Sequence, residues 1–347
     1  MISEILVTPQ AVAWLPWAVQ YFFYIGSAYG AALLLWLALR GGERYSVTLV
    51  HSLALVLLIS AIVGPLALTA DLHQPGRAWH FFAYLTPGSW MSRGALLLPI
   101  FSALAVVTAW LCLRPALLTT TVRGARFWRC LALGQWQISP TALRRCALLT
   151  LLSGASIALY TGSEVWVLAA RPLWHQWMLP WLWLCSAPLA SVGLGLLIAG
   201  LLGQRLTAGD GRLLRLTLWI SALSSLILLA LWLYWPLASV TQVGRHFMRF
   251  QAWPTLSLLA MTLLAATWLL RLRWLLAILT LASAAALRWL TLIDVQRVAR
   301  YDAGIYPYSV PADSEGWLGI AAMAGLWICL AALLTELIET RSDAAER

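Results

Sequence analysis

Residues 46–69 read SVTLVHSLALVLLISAIVGPLALT, 24 positions without one Asp, Glu, Lys or Arg. A helix needs about 20 predominantly apolar residues to cross the hydrocarbon core of a bilayer. Hydrocarbon offers the backbone no hydrogen-bond partner, so a spanning segment is either a helix or a strand of a closed barrel. Barrel strands are short and alternate polar with apolar residues. This run is long and unbroken, which selects the helix. Comparable runs lie at 14–39, 90–113, 146–169, 177–202, 216–240, 254–270, 274–293 and 315–339. Together they predict an all-α integral membrane protein, a bundle of about nine transmembrane helices. Only Arg271-Leu272-Arg273 separates the seventh run from the eighth, so the two form a tight hairpin or one of them fails to span. No internal repeat, low-complexity tract or soluble domain stands out, and residues 1–347 read as a single polytopic membrane domain.

Composition agrees. The chain is 62% hydrophobic and 10% charged, against about 25% charged in soluble domains. A net charge of +10 would suit a nucleic-acid binder, but all 23 basic residues are Arg and most sit at the ends of apolar runs. That pattern marks membrane orientation and argues against a nucleic-acid partner. With the N-terminus outside, 15 Arg fall on the inner side and 8 on the outer. The bias predicts a periplasmic N-terminus and a cytoplasmic C-terminus in a multi-pass protein of the bacterial inner membrane. Trp14, Trp17, Trp79, Trp90, Trp174, Trp177, Trp235, Trp253 and Trp317 gather at the outer ends, forming an aromatic belt that also suits protein docking. The longest inner loop, 114–145, carries six Arg. It reads as a topology determinant, with a patch for membrane lipid headgroups as the alternative. Residues 1–10 lack the basic region of a secretory signal.

The five Cys include no CxxC pair. An iron–sulfur centre needs several thiolates at close spacing, so no cluster is expected in this chain, nor any disulfide. A membrane b-type haem needs His pairs facing one another within spans. Of His51, His73, His80, His175 and His246, only His51 lies inside a run, so no haem and no metal site is expected.

Polar residues inside spans are costly and tend to mark a cavity, a ligand site or a charge pair. Gln20 and Tyr24 are four apart and share a helix face. Tyr160 and Glu164 have the same spacing, with Glu164 about 7.5 Å below the outer end of its span. Arg288 is expected at a similar depth, and Arg93 just inside the third span. The preceding loop supplies Asp71, His73, Arg77 and His80. All these groups lie near the outer face, and the inner halves have few equivalents. Two readings stand. One is a polar pocket opening near the outer leaflet; the other is a structural Glu164–Arg288 ion pair with the remaining groups snorkelling to water.

Several of these segments resemble a known family. Asp71-Leu72, Arg77 and Met91-Ser92-x-Gly94 resemble the second-to-third-span region of NrfD/PsrC-type quinone-interacting membrane subunits, whose typical pattern is an aspartate-leucine-glycine-arginine-proline run followed by a proline-x-serine-x-methionine-serine-x-glycine turn. The chain departs from that pattern by inserting His73-Gln74-Pro75 before Gly76. The first span and the stretch from Tyr160 to Trp174 also fit. The departures, with Tyr306-Pro307-Tyr308-Ser309 and Gly316-Trp317-Leu318, resemble the tetrathionate-reducing branch.

The resemblance implies a membrane anchor that oxidises quinol (menaquinol or ubiquinol). It implies two partners, a periplasmic four-cluster iron–sulfur subunit and a molybdopterin catalytic subunit that reduces tetrathionate in anaerobic respiration. Family position supports Gln20, Tyr24 and Asp71 at the quinol. Physical reasoning adds Glu164 as first proton acceptor, since general bases are typically His or carboxylate. Gln20, Tyr24 and Tyr160 would hold the oxygens, Asp71 and His73 would pass protons outward, and Arg77 or Arg93 would balance Asp71. Alternatives are a membrane subunit serving another sulfur compound such as polysulfide or thiosulfate, a plain anchor without a quinone site, and a transporter. A transporter would need broken helices or charges at mid-depth, and the sequence shows neither clearly.

Overall fold

The computed structural model describes residues 12–72, 74–120, 125–236, 240–299 and 304–339. His73, Arg123, Arg300, Arg341 and Arg347 lie outside the described residues. Among the described residues nine helices are long and apolar enough to cross a membrane. They are α1 (Pro16–Gly41), α2 (Val47–Ala70), α3 (Trp90–Thr119), α4 (Pro140–Trp166), α5 (Met178–Leu201), α6 (Ala208–Tyr234), α7 (Gln242–Ala265), α8 (Arg273–Trp289) and α9 (Trp317–Glu339). The described residues contain no strand, only an isolated bridge between Val298 and Ile305.

Three helices begin earlier than hydropathy alone predicts. α4 starts at Pro140 rather than 146, α6 at Ala208 rather than 216, and α7 at Gln242 rather than 254. In each case a polar cap starts the helix before the apolar run begins. Ser139 accepts from the Ala142 amide, Thr207 and Asp210 form a reciprocal capping box, and Thr241 accepts from the Gly244 amide. α7 and α8 both form complete helices, joined by a 3₁₀ turn at Ala266–Trp268 and a tight turn through Arg271. The hairpin reading of that segment holds.

α1 sits centrally, packed on α2, α4, α5 and α8. In lipid such packing needs close van der Waals approach and inter-helix hydrogen bonds. Gly30 supplies the first: a Cβ there would lie 2.3 Å from Ser191 Oγ and 3.2 Å from the Ala187 backbone. Ser191 Oγ supplies the second, donating to the Ser27 carbonyl at 2.9 Å. At the opposite end from the α1 N-terminus, Asp210 ties α6 to α2. Its carboxylate accepts from Ser46 N at 2.9 Å, Ser46 Oγ at 2.7 Å and Thr207 N at 2.7 Å.

Two features depart from the sequence reading. α8 does not stop near residue 293. It continues through a π-helical turn at Leu290–Asp294 to Arg297. The widened turn presents the Thr291 carbonyl to Trp174 Nε1 at 2.7 Å and the Thr291 hydroxyl to Trp183 Nε1 at 3.1 Å. Arg114, read as a loop residue, is buried within α3. It donates to the carbonyls of Ala132 (2.7 Å), Gly134 (2.5 Å) and Trp136, and so holds the following loop against the bundle. The five cysteines are free thiols.

Candidate functional site

The helices alternate in direction, so the α1 N-terminus, the α2 C-terminus, the α3 N-terminus and the α4 C-terminus share one end of the bundle. At that end α4 presents Tyr160 and Glu164 one turn apart. The phenol and the carboxyl are near enough to interact with each other. Tyr160 is buried and Glu164 half-buried. The Tyr160 ring lies across α3 at Gly94, where a Cβ would fall 2.1 Å from its hydroxyl. Trp90 stands 6.5 Å from the Tyr160 ring, and the Arg93 guanidinium covers Trp90 at 4.5 Å. From α1, buried Tyr21 interacts electrostatically with both Glu164 and Tyr160. The result is a carboxyl and two phenols drawn from two helices, over a glycine floor from a third.

Gln20 is buried on α1, and its Nε2 has no hydrogen-bond partner among the described residues. Leaving a buried amide group unpaired costs about 1–3 kcal/mol, so this donor is available to a ligand oxygen. Tyr24 is buried with its ring against Phe23, and no polar contact links it to Glu164 among the described residues. Asp71 forms the C-cap of α2 and is half-buried. Arg77 and Arg93 are exposed, and His80 packs edge-on against Trp79 and Tyr84. His73 lies outside the described residues.

No ion pair joins Glu164 to Arg288; between described residues the ion pair is Arg297–Asp294 at 3.2 Å. The charge-pair reading of the outer polar residues therefore fails. Because α8 runs on to Arg297, Arg288 lies nine residues inside its span, about 13.5 Å deep and deeper than expected. There it is buried and donates to Ser186 Oγ (3.0 Å), the Trp183 carbonyl (3.0 Å) and the Phe22 carbonyl (3.5 Å). Its guanidinium also stands 5.1 Å from the Trp183 ring.

Tyr21 and Gly94 belong to the site without having been singled out as site residues in the sequence. Tyr21 is one position off the Gln20–Tyr24 stripe, about 100° around the helix. Gly94 appears in the sequence only as a motif glycine, and its role is visible once Tyr160 is placed opposite.

Comparison with known proteins bears on what such a site serves. A family profile described as "Polysulphide reductase, NrfD" matches residues 5–299. The chain is also 35% identical to the C subunit of the tetrathionate reductase of Salmonella typhimurium, an alignment covering 97% of this chain and 95% of that protein. Family resemblance, helical bundle and membrane-spanning composition agree, and the chain belongs to the NrfD polysulphide reductase family.

Proposed function

We propose that this chain is the inner-membrane subunit of a tetrathionate-reductase-type complex, and that it oxidises quinol at the periplasmic end of α1, α3 and α4. The observation that carries the reading is the grouping of Tyr21, Tyr160 and Glu164 against Gly94, beside the unpartnered Gln20 amide. Similarity to the C subunit of a tetrathionate reductase supports this system, and the arginine bias supports this orientation.

Oxidising one quinol to quinone releases two electrons and two protons. Glu164 accepts the two hydroxyl protons in turn, passing the first on before it takes the second, with Tyr160 and Tyr21 orienting the reacting oxygen. Gln20 donates to the second oxygen, and Tyr24 lines the apolar wall for ring and tail. Asp71 and His73 relay protons to the periplasm, with Arg77 and Arg93 balancing the charge of Asp71. The electrons pass to an iron–sulfur subunit docked over the same end and then to a molybdopterin subunit. Protons and electrons emerge on one side, so the half-reaction separates no charge across the membrane.

The test is Glu164→Gln in the assembled complex. Quinol-linked tetrathionate reduction should fall at least tenfold, while reduction driven by a soluble viologen donor is retained. Unchanged quinol-linked activity removes Glu164 from the role. The plain-anchor reading draws on exposed aromatics at the same end, Trp79, Tyr84 and Trp317 among them. It predicts quinol-linked turnover by the soluble subunits with this chain absent.

A further inference from the structure

The other end of the bundle carries a cavity of about 340 Å³ between the first turns of α6 and the turn that joins α7 to α8. Arg212, Arg215 and Arg271 line it, together with Thr267 and Trp268, and no carboxylate does. None of the three guanidiniums forms an ion pair among the described residues. The nearest acid in sequence, Asp210, is fully buried, and its oxygens are occupied by Ser46 and Thr207. The three positive charges therefore converge on the cavity without a counterion among the described residues.

Its shape is built into the fold. Gly211 lets the α7–α8 turn approach α6 closely, since a Cβ there would sit 3.0 Å from Leu270 Cγ. The cavity also opens at the start of a long helix, where the backbone dipole adds to the positive potential. Apolar side chains stand exposed along the same two helices towards the bilayer centre: Leu216, Ile220 and Leu223 on α6, and Met261 and Leu264 on α7. A basic pocket at headgroup level above an exposed apolar flank matches a molecule with a phosphate head and acyl tails. Indole rings such as Trp268, 54% exposed, suit the headgroup boundary.

We infer that this cavity binds the phosphate headgroup of an anionic phospholipid from the leaflet opposite the Glu164 site, with the lipid's tails lying along α6 and α7. Arg212, Arg215 and Arg271 hold the phosphodiester oxygens by charge-assisted hydrogen bonds. A free phosphate could use the same three donors, but it would gain nothing from the apolar flank.

Native mass spectrometry of the delipidated full chain tests this, with phosphatidylglycerol, phosphatidylethanolamine and inorganic phosphate added separately. The wild type should retain one phosphatidylglycerol at least tenfold more tightly than phosphatidylethanolamine, and inorganic phosphate should not displace it. The triple substitution Arg212→Gln, Arg215→Gln, Arg271→Gln should weaken that binding at least tenfold. An equal loss of charge at Arg40, Arg145 and Arg205, which do not line the cavity, should leave it intact. Should the triple variant not purify, Arg271→Gln alone, on an exposed turn, should weaken binding at least threefold. Unaltered binding in the pocket variants, an equal loss in the control variant, or full displacement by inorganic phosphate overturns the inference.

Discussion

Gly94→Ala perturbs the candidate site without removing a polar group. The added methyl would lie 2.1 Å from the Tyr160 hydroxyl, 2.3 Å from Cζ and 2.8 Å from Cε1. Ordinary contacts of this kind begin near 3.4 Å, so the ring must retreat by about 1.3 Å. The ring cannot flex away as a long aliphatic chain would, and it is buried against α3, so the retreat changes where the hydroxyl stands relative to Glu164. Overpacking of this sort costs about 1–3 kcal/mol. If that strain is relieved by moving Tyr160 out of register, the same energy is lost from the reacting geometry. At about 1.4 kcal/mol per factor of ten in rate, quinol-linked activity should fall between about fivefold and a hundredfold. The assay compares quinol-linked with viologen-linked tetrathionate reduction by the assembled complex, alongside its melting temperature. The reasoning predicts a selective loss of the quinol-linked rate. Wild-type quinol-linked turnover in a stable Gly94→Ala complex would refute it, because Tyr160 could then move without consequence.

Other substitutions probe the frame. Asp210→Ala leaves the Ser46 amide and hydroxyl and the Thr207 amide without their shared acceptor; it should cost about 2–4 kcal/mol, read as a lowered melting temperature in detergent. Arg114→Gln leaves the carbonyls of Ala132, Gly134 and Trp136 without their donor and should speed proteolysis within residues 125–139 while leaving quinol-linked turnover nearly unchanged. Trp174→Phe removes the donor to the Thr291 carbonyl at the π turn and should destabilise by about 1–2 kcal/mol, measured by thermal unfolding.

The sequence carries the span count almost completely, because twenty-odd apolar residues without charge leave a bilayer helix as the one solution that satisfies the backbone. It carries helix starts less well. α6 and α7 begin in polar segments at Ala208 and Gln242, just after their Thr caps, and a hydropathy reading registers a helix only when its apolar run begins, eight and twelve residues later. The π turn at Leu290–Asp294 has no hydropathy signature at all, and a reading without it places Arg288 too shallow. For the site, the i,i+4 spacing of Tyr160 and Glu164 is readable and the two side chains do meet. Which face of α1 meets them is not. Tyr21 turns toward Glu164 because of how α1 packs on α4, and Arg288 finds carbonyls and a serine hydroxyl because α5 packs against α8. Both facts belong to tertiary packing, which spacing along one helix does not encode.

The most direct measurement is photolabelling of the membrane-embedded complex with an azido-quinone, followed by mapping of the modified peptides. The account predicts label on the α4 segment containing Tyr160 and Glu164 and on the α1 segment containing Gln20 and Tyr21, with excess quinol suppressing both. Label confined to other helices, or label on these segments that excess quinol leaves untouched, would contradict a quinol site at this end of the bundle.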